Sequence, residues 1–119
     1  MDLEIFGIAA CDTCRKARRW LGEQGVEHRF IDLRKDGVTR GQISAWLSAV
    51  GVERLVNRRS TTWRGLSPDS RTMDSADEAV TLLLEHPTLI KRPVFVSGEE
   101  ILVGFDDGVR ARLSPGDRS

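Results

Sequence analysis

The sequence predicts an α/β fold, a four-stranded mixed sheet flanked by helices, with a helical insert between a βαβ unit and a C-terminal β-hairpin. Three observations carry this. An apolar run, a helical period and an alternating run follow one another from Leu3 to Leu33. Two short β-branched runs near the C-terminus have only a tight polar link between them. Two amphipathic stretches with capping signals lie in the middle.

Leu3 to Ile8 is a short apolar run and reads as a buried strand. Gly7 within it allows a close approach of backbone. From Thr13 to about Gln24 the period is helical, with Cys14, Ala17, Trp20 and Leu21 on one face and Arg15, Lys16, Arg18 and Arg19 on the other. Gly25 stops this helix. Val26, His28, Phe30, Ile31 and Leu33 mark a second strand, parallel to the first through a right-handed crossover. Asp36-Gly37 is a turn. Thr39-Arg40-Gly41-Gln42 is a capping box that opens a helix with Ile43, Trp46, Leu47 and Val50 on one stripe, ended by Gly51. Leu55-Val56 is a short apolar piece, and residues 57–72 are polar with Ser67-Pro68 as a breaker. Ser75-Ala76-Asp77-Glu78 is a second capping box, opening a helix with Ala79, Val80, Leu83 and Leu84 that stops before Pro87. Val94-Phe95-Val96 and Ile101-Leu102-Val103 form an antiparallel hairpin. A short helix from about Asp106 to Leu113 follows, and Pro115 and Gly116 lead into a frayed tail. This order is the thioredoxin-like layout with a helical insert.

A chain of 119 residues is one domain, 1–119, and buries roughly two-thirds of its extended surface. No apolar run approaches the roughly 18 residues that span a bilayer. Met1 to Phe6 is acidic and then apolar, unlike the basic start of a secretory signal, so a cytoplasmic protein without membrane contact is expected. Eighteen basic and eighteen acidic residues cancel, which disfavours direct nucleic-acid binding. The cancellation is uneven: residues 1–64 hold twelve Lys and Arg against eight Asp and Glu, and residues 65–107 hold three against nine. The basic clusters are Arg15, Lys16, Arg18 and Arg19; Arg58, Arg59 and Arg64; and Lys91 and Arg92. They are either solvated faces or, if they gather near the cysteines, an anion or thiolate site.

Two cysteines are too few for a disulfide scaffold, but Cys11 and Cys14 stand at the spacing of a redox pair, after a strand and opening a helix. Free N–H groups and the helix dipole at that place favour an anion, and Arg15 and Arg18 are expected to add to it. A thiol with a pKa of about 8.5 is only about 3% thiolate at pH 7, so a drop of about two units makes thiolate the majority form. Cys14, one turn on and facing inward, is suited to resolve a mixed disulfide formed at Cys11. Asp12 opposes thiolate formation if it points at the sulfur. Half a zinc site and an inert pair are the alternatives. His28 and His86 have no ligand spacing to the cysteines, so no metal is expected.

Pro93 precedes the third strand, the topological place where thioredoxin-like folds carry a cis proline facing the reactive cysteine. Arg92 then brings its guanidinium near Cys11, where it can grip an oxyanion with two donors; a plain surface charge is the alternative. Trp20 and Trp46 read as core, and His28 as a strand histidine. Trp63 either walls the site or covers the core edge, and Thr61 and Thr62 read as loop-stabilising.

Gly7-Ile8-x-x-Cys11-Asp12-Thr13-Cys14-Arg15-Lys16-Ala17 resembles the start of the ArsC-like family of glutaredoxin-coupled arsenate reductases, YffB-type proteins and Spx-type regulators. Asn57-Arg58-Arg59-Ser60-Thr61-Thr62-Trp63-Arg64 resembles the central loop of the YffB branch. The segments from Pro87 to Val94 and Leu102-Val103-Gly104-Phe105 complete the likeness. The resemblance implies Cys11 as nucleophile and Arg92 and Arg59 as arginines around the oxyanion; Cys14 departs from many enzymes of the family, which have no second cysteine there, and matches the Cys-x-x-Cys redox switch of the Spx-type regulators. Arg58, Pro93, Arg15 and Thr13 are the candidate substrate-contacting residues. The third arginine of the arsenate reductases has no match, because Gly104-Phe105 occupies its segment.

Two functions follow from the resemblance. One is a glutathione- or thiol-dependent oxidoreductase, with no bound cofactor and with glutathione, glutaredoxin or thioredoxin as electron donor. The other is an Spx-type redox-sensing regulator that binds the RNA polymerase α subunit. A monomer is expected in either case.

Overall fold

Alternation along the first strand buries Leu3 and Ile5 toward one side, and that side becomes the main core of the N- and C-terminal segments. The computed structural model describes residues 3–114. The tail beyond, with Pro115 and Gly116, lies outside the described residues. Four strands form one sheet in the order β2-β1-β3-β4. They are β1 (Leu3–Gly7), β2 (Arg29–Asp32), β3 (Val94–Ser97) and β4 (Glu100–Val103). β1 and β2 are parallel, from Glu4 opposite Arg29 to Gly7 opposite Asp32. β1 and β3 are antiparallel, with Phe6 opposite Val94, and β3 and β4 are antiparallel with Val94 opposite Val103. The sheet is mixed, as the order of elements predicts.

The described chain folds as two compact units. The first joins residues 3–32 to residues 92–114. Here α1 (Asp12–Glu23) and α6 (Asp107–Leu113) lay Ala17, Leu21, Val109 and Leu113 against Leu3, Ile5 and Phe95 of the sheet. Trp20 and Phe105 close the edge of this cluster in a T-shaped pair, with ring centroids 5.8 Å apart. The Asp106 carboxylate caps α6 by accepting the Val109 N–H at 2.9 Å. Phe6, Val94 and Val103 are buried on the other face of the sheet.

β2 begins at Arg29, three residues later than its apolar pattern suggests. The helix stop accounts for the difference. Gly25 takes φ +71°, a left-handed conformation that glycine adopts without strain, and the Val26 N–H turns back to the Leu21 carbonyl at 2.9 Å. His28 donates from Nδ1 to the Val26 carbonyl at 3.1 Å, so it belongs to the connection and not to the strand.

The second unit, Leu33–Lys91, holds the helical insert. α2 (Arg40–Val50) packs on α5 (Ala76–Glu85) through Ile43 and Trp46 on one side and Ala79, Val80, Leu82 and Leu83 on the other. Leu82, rather than Leu84, completes the buried stripe of α5. The Thr39 capping box is present with both of its hydrogen bonds, and Ser75 caps α5 by accepting the Glu78 N–H. The apolar Leu55-Val56 divides between two elements. Leu55 ends α3 (Val52–Leu55), and Val56 bridges antiparallel to Ile90. The polar stretch 57–72 is more ordered than its composition suggests. It contains α4 (Thr61–Gly65) and a 3₁₀ turn, Asp69–Arg71. Among the described residues no helix is long and apolar enough to cross a membrane.

Phe95 is 1% exposed at the centre of the first core, so Phe95→Ala is expected to cost about 3–5 kcal/mol. Thr39→Ala removes a cap and is expected to cost about 1 kcal/mol. Urea unfolding of the two variants checks this ranking.

Candidate active site

Cys11 stands at the N-cap of α1 with extended backbone (φ −76°, ψ 123°), and the loop before it is tied down at both ends. The Cys11 N–H donates to the Ile8 carbonyl at 2.9 Å, and the Cys11 carbonyl accepts the Arg15 N–H at 3.0 Å. Two residues before Cys11, the Ala9 N–H donates to Oδ2 of Asp32 at 3.1 Å. Asp32 is a buried carboxylate at the end of β2, directly beside Gly7 in the register. The pattern of apolar residues places Asp32 at a strand end but carries no sign that it clamps the cysteine loop.

Both cysteines are free thiols, Cys11 partly exposed and Cys14 fully buried. Burial works against a charge on Cys11 and is the largest single influence on it. The combined pull of the Cys14 N–H, the Cys14 thiol, and the hydrogen bond and charge of Arg92 outweighs it, so the Cys11 pKa lies below that of an ordinary thiol. The Cys14 thiol moves the other way, pushed up to about 12. Burial is the main cause, the Ile8 N–H opposes it, and the neighbouring Cys11 adds to it. The two thiols are therefore displaced in opposite directions, Cys11 toward the thiolate and Cys14 toward the protonated form.

Arg92 comes from the segment before β3, and the Arg92–Pro93 peptide bond is cis. Pro93 is buried, and its carbonyl accepts the Gly104 N–H at 2.9 Å, which ties this segment to the end of β4. The structure thus brings Cys11, Cys14 and Arg92 together within the first unit, with Pro93 next to Arg92 in the chain.

Arg15 and Arg18 are placed differently from the sequence expectation that they support the thiolate. Arg15 forms an exposed ion pair with Asp12, the i,i+3 partner that its helical spacing makes available. That pairing sets a cation beside the carboxylate nearest the cysteine in sequence. Arg18 lies over the Phe30 ring, 4.4 Å from its centroid. Thr13 is exposed in the first turn of α1.

Arg58 and Arg59 lie in the second unit, both exposed, in the loop before α4. Arg58 pairs with Glu53 at 2.9 Å and stands 5.5 Å from the Trp63 ring centroid. Arg71 stands 5.4 Å from the same centroid and donates from Nε to the Trp63 carbonyl at 3.1 Å. Arg59 anchors the loop through its backbone: its N–H donates to Asn57 Oδ1 at 3.1 Å, and its carbonyl accepts from Arg64 at 2.9 Å. Ser60 caps α4, and Thr62 and Thr88 share a hydroxyl hydrogen bond of 2.7 Å. Among the described residues no three His, Cys, Asp or Glu side chains gather to hold a metal.

The sequence model of the ArsC family matches residues 6–111. An uncharacterised protein of Haemophilus influenzae is 39% identical over 88% of this chain and 92% of its own. The solved structure of a YFFB protein superposes with a TM-score of 0.88 at 36% identity, covering 94% of this chain and 98% of the other. Regulators are also relatives: the global transcriptional regulator Spx of Streptococcus pyogenes is 28% identical over 92% of this chain and 84% of its own. An arsenate reductase from Vibrio cholerae shares the fold at 20% identity, with a TM-score of 0.75 over 87% of this chain and 90% of the other.

Cys11 alkylation by iodoacetamide is expected to titrate below the about 8.5 of a free thiol. Because the cation favours the charged form, Arg92→Gln is expected to raise that midpoint and to slow alkylation at pH 6 several-fold. Cys14, with its pKa at about 12, stays unmodified at pH 7 in the folded protein. Peptide mass spectrometry across a pH series reads all three outcomes.

Proposed function

The chain belongs to the ArsC family, and from that membership and the site's geometry we propose that it is a thiol oxidoreductase with Cys11 as nucleophile. The observation that carries this reading is the opposite displacement of the two thiols, Cys11 toward thiolate and Cys14 away from it, with Arg92 beside the first. The Cys11 thiolate attacks one sulfur of a disulfide, or the arsenic of an oxyanion such as arsenate; there an oxygen leaves as water, and attack of a second thiol on the Cys11 sulfur breaks the S–As bond, leaves its electron pair on arsenic and releases arsenite. With a disulfide, the substrate S–S bond breaks, a Cys11–substrate S–S bond forms, and the first substrate thiolate leaves and takes a proton. Cys14 then gives up its proton and attacks the Cys11 sulfur. This closes a Cys11–Cys14 disulfide and releases the second substrate thiol. Two equivalents of glutathione, or one dithiol protein such as glutaredoxin or thioredoxin, return the pair to thiols. Arg92 offers two parallel donors to the negative charge that develops on the reacting group. Arg59, with Arg58 and Thr13, enters this reading only through the family resemblance. The chemistry needs a reducing compartment, which the cytoplasm supplies. A monomer suffices for it.

A second reading is a redox switch in an Spx-type regulator that binds the RNA polymerase α subunit. It is favoured by the regulators among the relatives, which span most of this chain. In that case the Cys11–Cys14 bond is the signal and not an intermediate.

The test follows NADPH oxidation in the presence of arsenate, with the glutathione–glutaredoxin and thioredoxin systems supplied in turn. The oxidoreductase reading expects turnover that Cys11→Ser abolishes and that Arg92→Lys, which keeps the charge but loses the paired donors, lowers by about 10²-fold. Absence of turnover with arsenate and with small disulfides, together with redox-dependent binding to the polymerase α subunit, overturns it in favour of the switch.

A further inference from the structure

The Cys14 sulfur occupies a space that exists because residue 7 has no side chain. A Cβ placed on Gly7 falls 2.5 Å from Cys14 Sγ and 3.4 Å from both Cys14 Cβ and a ring carbon of Phe30. Non-bonded heavy atoms settle at roughly 3.5–4.0 Å, so an alanine here cannot coexist with the sulfur where it is. The backbone itself does not call for glycine. Gly7 is the last residue of β1, pairs in register with Asp32, and is not one of the glycines with positive φ. Only the neighbouring sulfur excludes a methyl group. The residue after the strand contributes as well, since the Ile8 N–H faces the same sulfur and favours its thiolate.

We propose that Gly7 is the positioning residue of the resolving thiol: the bare backbone of β1 forms a seat that holds Cys14 Sγ within hydrogen-bonding reach of Cys11. This deepens the reading of Cys14 as the resolving cysteine and rests on it. Cys14 Sγ turns on χ1 alone, between staggered wells about 120° apart. A methyl group at residue 7 therefore leaves the sulfur no small adjustment and turns it out of its position against Cys11. The step affected is one exchange. The Cys14 thiol loses its proton, its sulfur bonds to Cys11, the bond from Cys11 to a bound small thiol breaks, and that thiol leaves with a proton.

The experiment loads Cys11 with glutathione disulfide and follows the lifetime of the glutathione adduct by mass spectrometry after acid quenching. The proteins are wild type, Gly7→Ala, Cys14→Ser, Cys14→Ala and the Gly7→Ala/Cys14→Ala double variant. Wild type is expected to convert quickly to the Cys11–Cys14 disulfide. Gly7→Ala is expected to keep the adduct at least tenfold longer, approaching Cys14→Ser. Thermal unfolding of the double variant is expected to match that of Cys14→Ala, because the sulfur that the new methyl would strike is gone. Resolution by Gly7→Ala at the wild-type rate overturns the role of Gly7 and leaves Cys14 as resolving thiol. A wild-type adduct as long-lived as that of Cys14→Ser overturns the resolving role itself, and this proposal with it. If Gly7→Ala does not fold, the double variant decides. Stability equal to Cys14→Ala supports the seat, and instability overturns it.

Discussion

The site depends on how a negative charge on one sulfur is held. Cys11 sits where desolvation alone would keep its proton on, and three features reverse that balance: the N–H of Cys14 at the start of a helix, the Cys14 thiol, and the Arg92 guanidinium. Each comes from a different level of structure. The N–H follows from the helix beginning where it does, the thiol from an i,i+3 spacing, and the guanidinium from the segment that leads into the strand pairing with β1. The clamp from Asp32 to the loop matters for the same reason, since a thiolate is stabilised only by groups that are already in place when the charge appears.

Opposite displacement of two adjacent thiols suits both an enzyme and a switch. In an enzyme the low-pKa sulfur attacks and the high-pKa sulfur waits until a mixed disulfide draws it in. In a switch the same asymmetry makes oxidation begin at one defined sulfur. Transcriptional regulators stand among the relatives of this ArsC-family chain, and the asymmetry of the pair by itself separates neither use from the other.

Much of the fold is legible in the sequence because its signals are local. The capping residues Thr39 and Ser75, the alternation of Leu3 and Ile5, and the short link between Val96 and Ile101 each act within a few residues. The Cys-x-x-Cys pair and Arg92 are legible for a similar reason, one by spacing and the other by its place before a proline. What the sequence hides is long-range. Asp32 looks like an ordinary strand end until the fold buries it under the cysteine loop. Gly7 can be seen to permit a close approach, but the atom that approaches is known only once α1 lies over β1. Helix α4 has no apolar period and is held by the Ser60 cap and by contacts of Arg58 and Arg71 with Trp63. Arg15 shows the reverse case. Its Asp12 partner is visible in the spacing, yet its charge invites assignment to an anion.

The first unit is made from both ends of the chain, with Phe6 of β1 paired to Val94 of β3 across the whole insert. This separation has a consequence during synthesis. A ribosome-bound chain that has released the first helix but not yet the segment from Arg92 onward lacks both the pairing strand and the guanidinium. Its Cys11 lacks the hydrogen bond and charge of Arg92 that favour the thiolate in the folded protein. The contribution of Arg92 to Cys11 thus arrives only with the late segment, after a loop closure whose entropic cost grows slowly with its length.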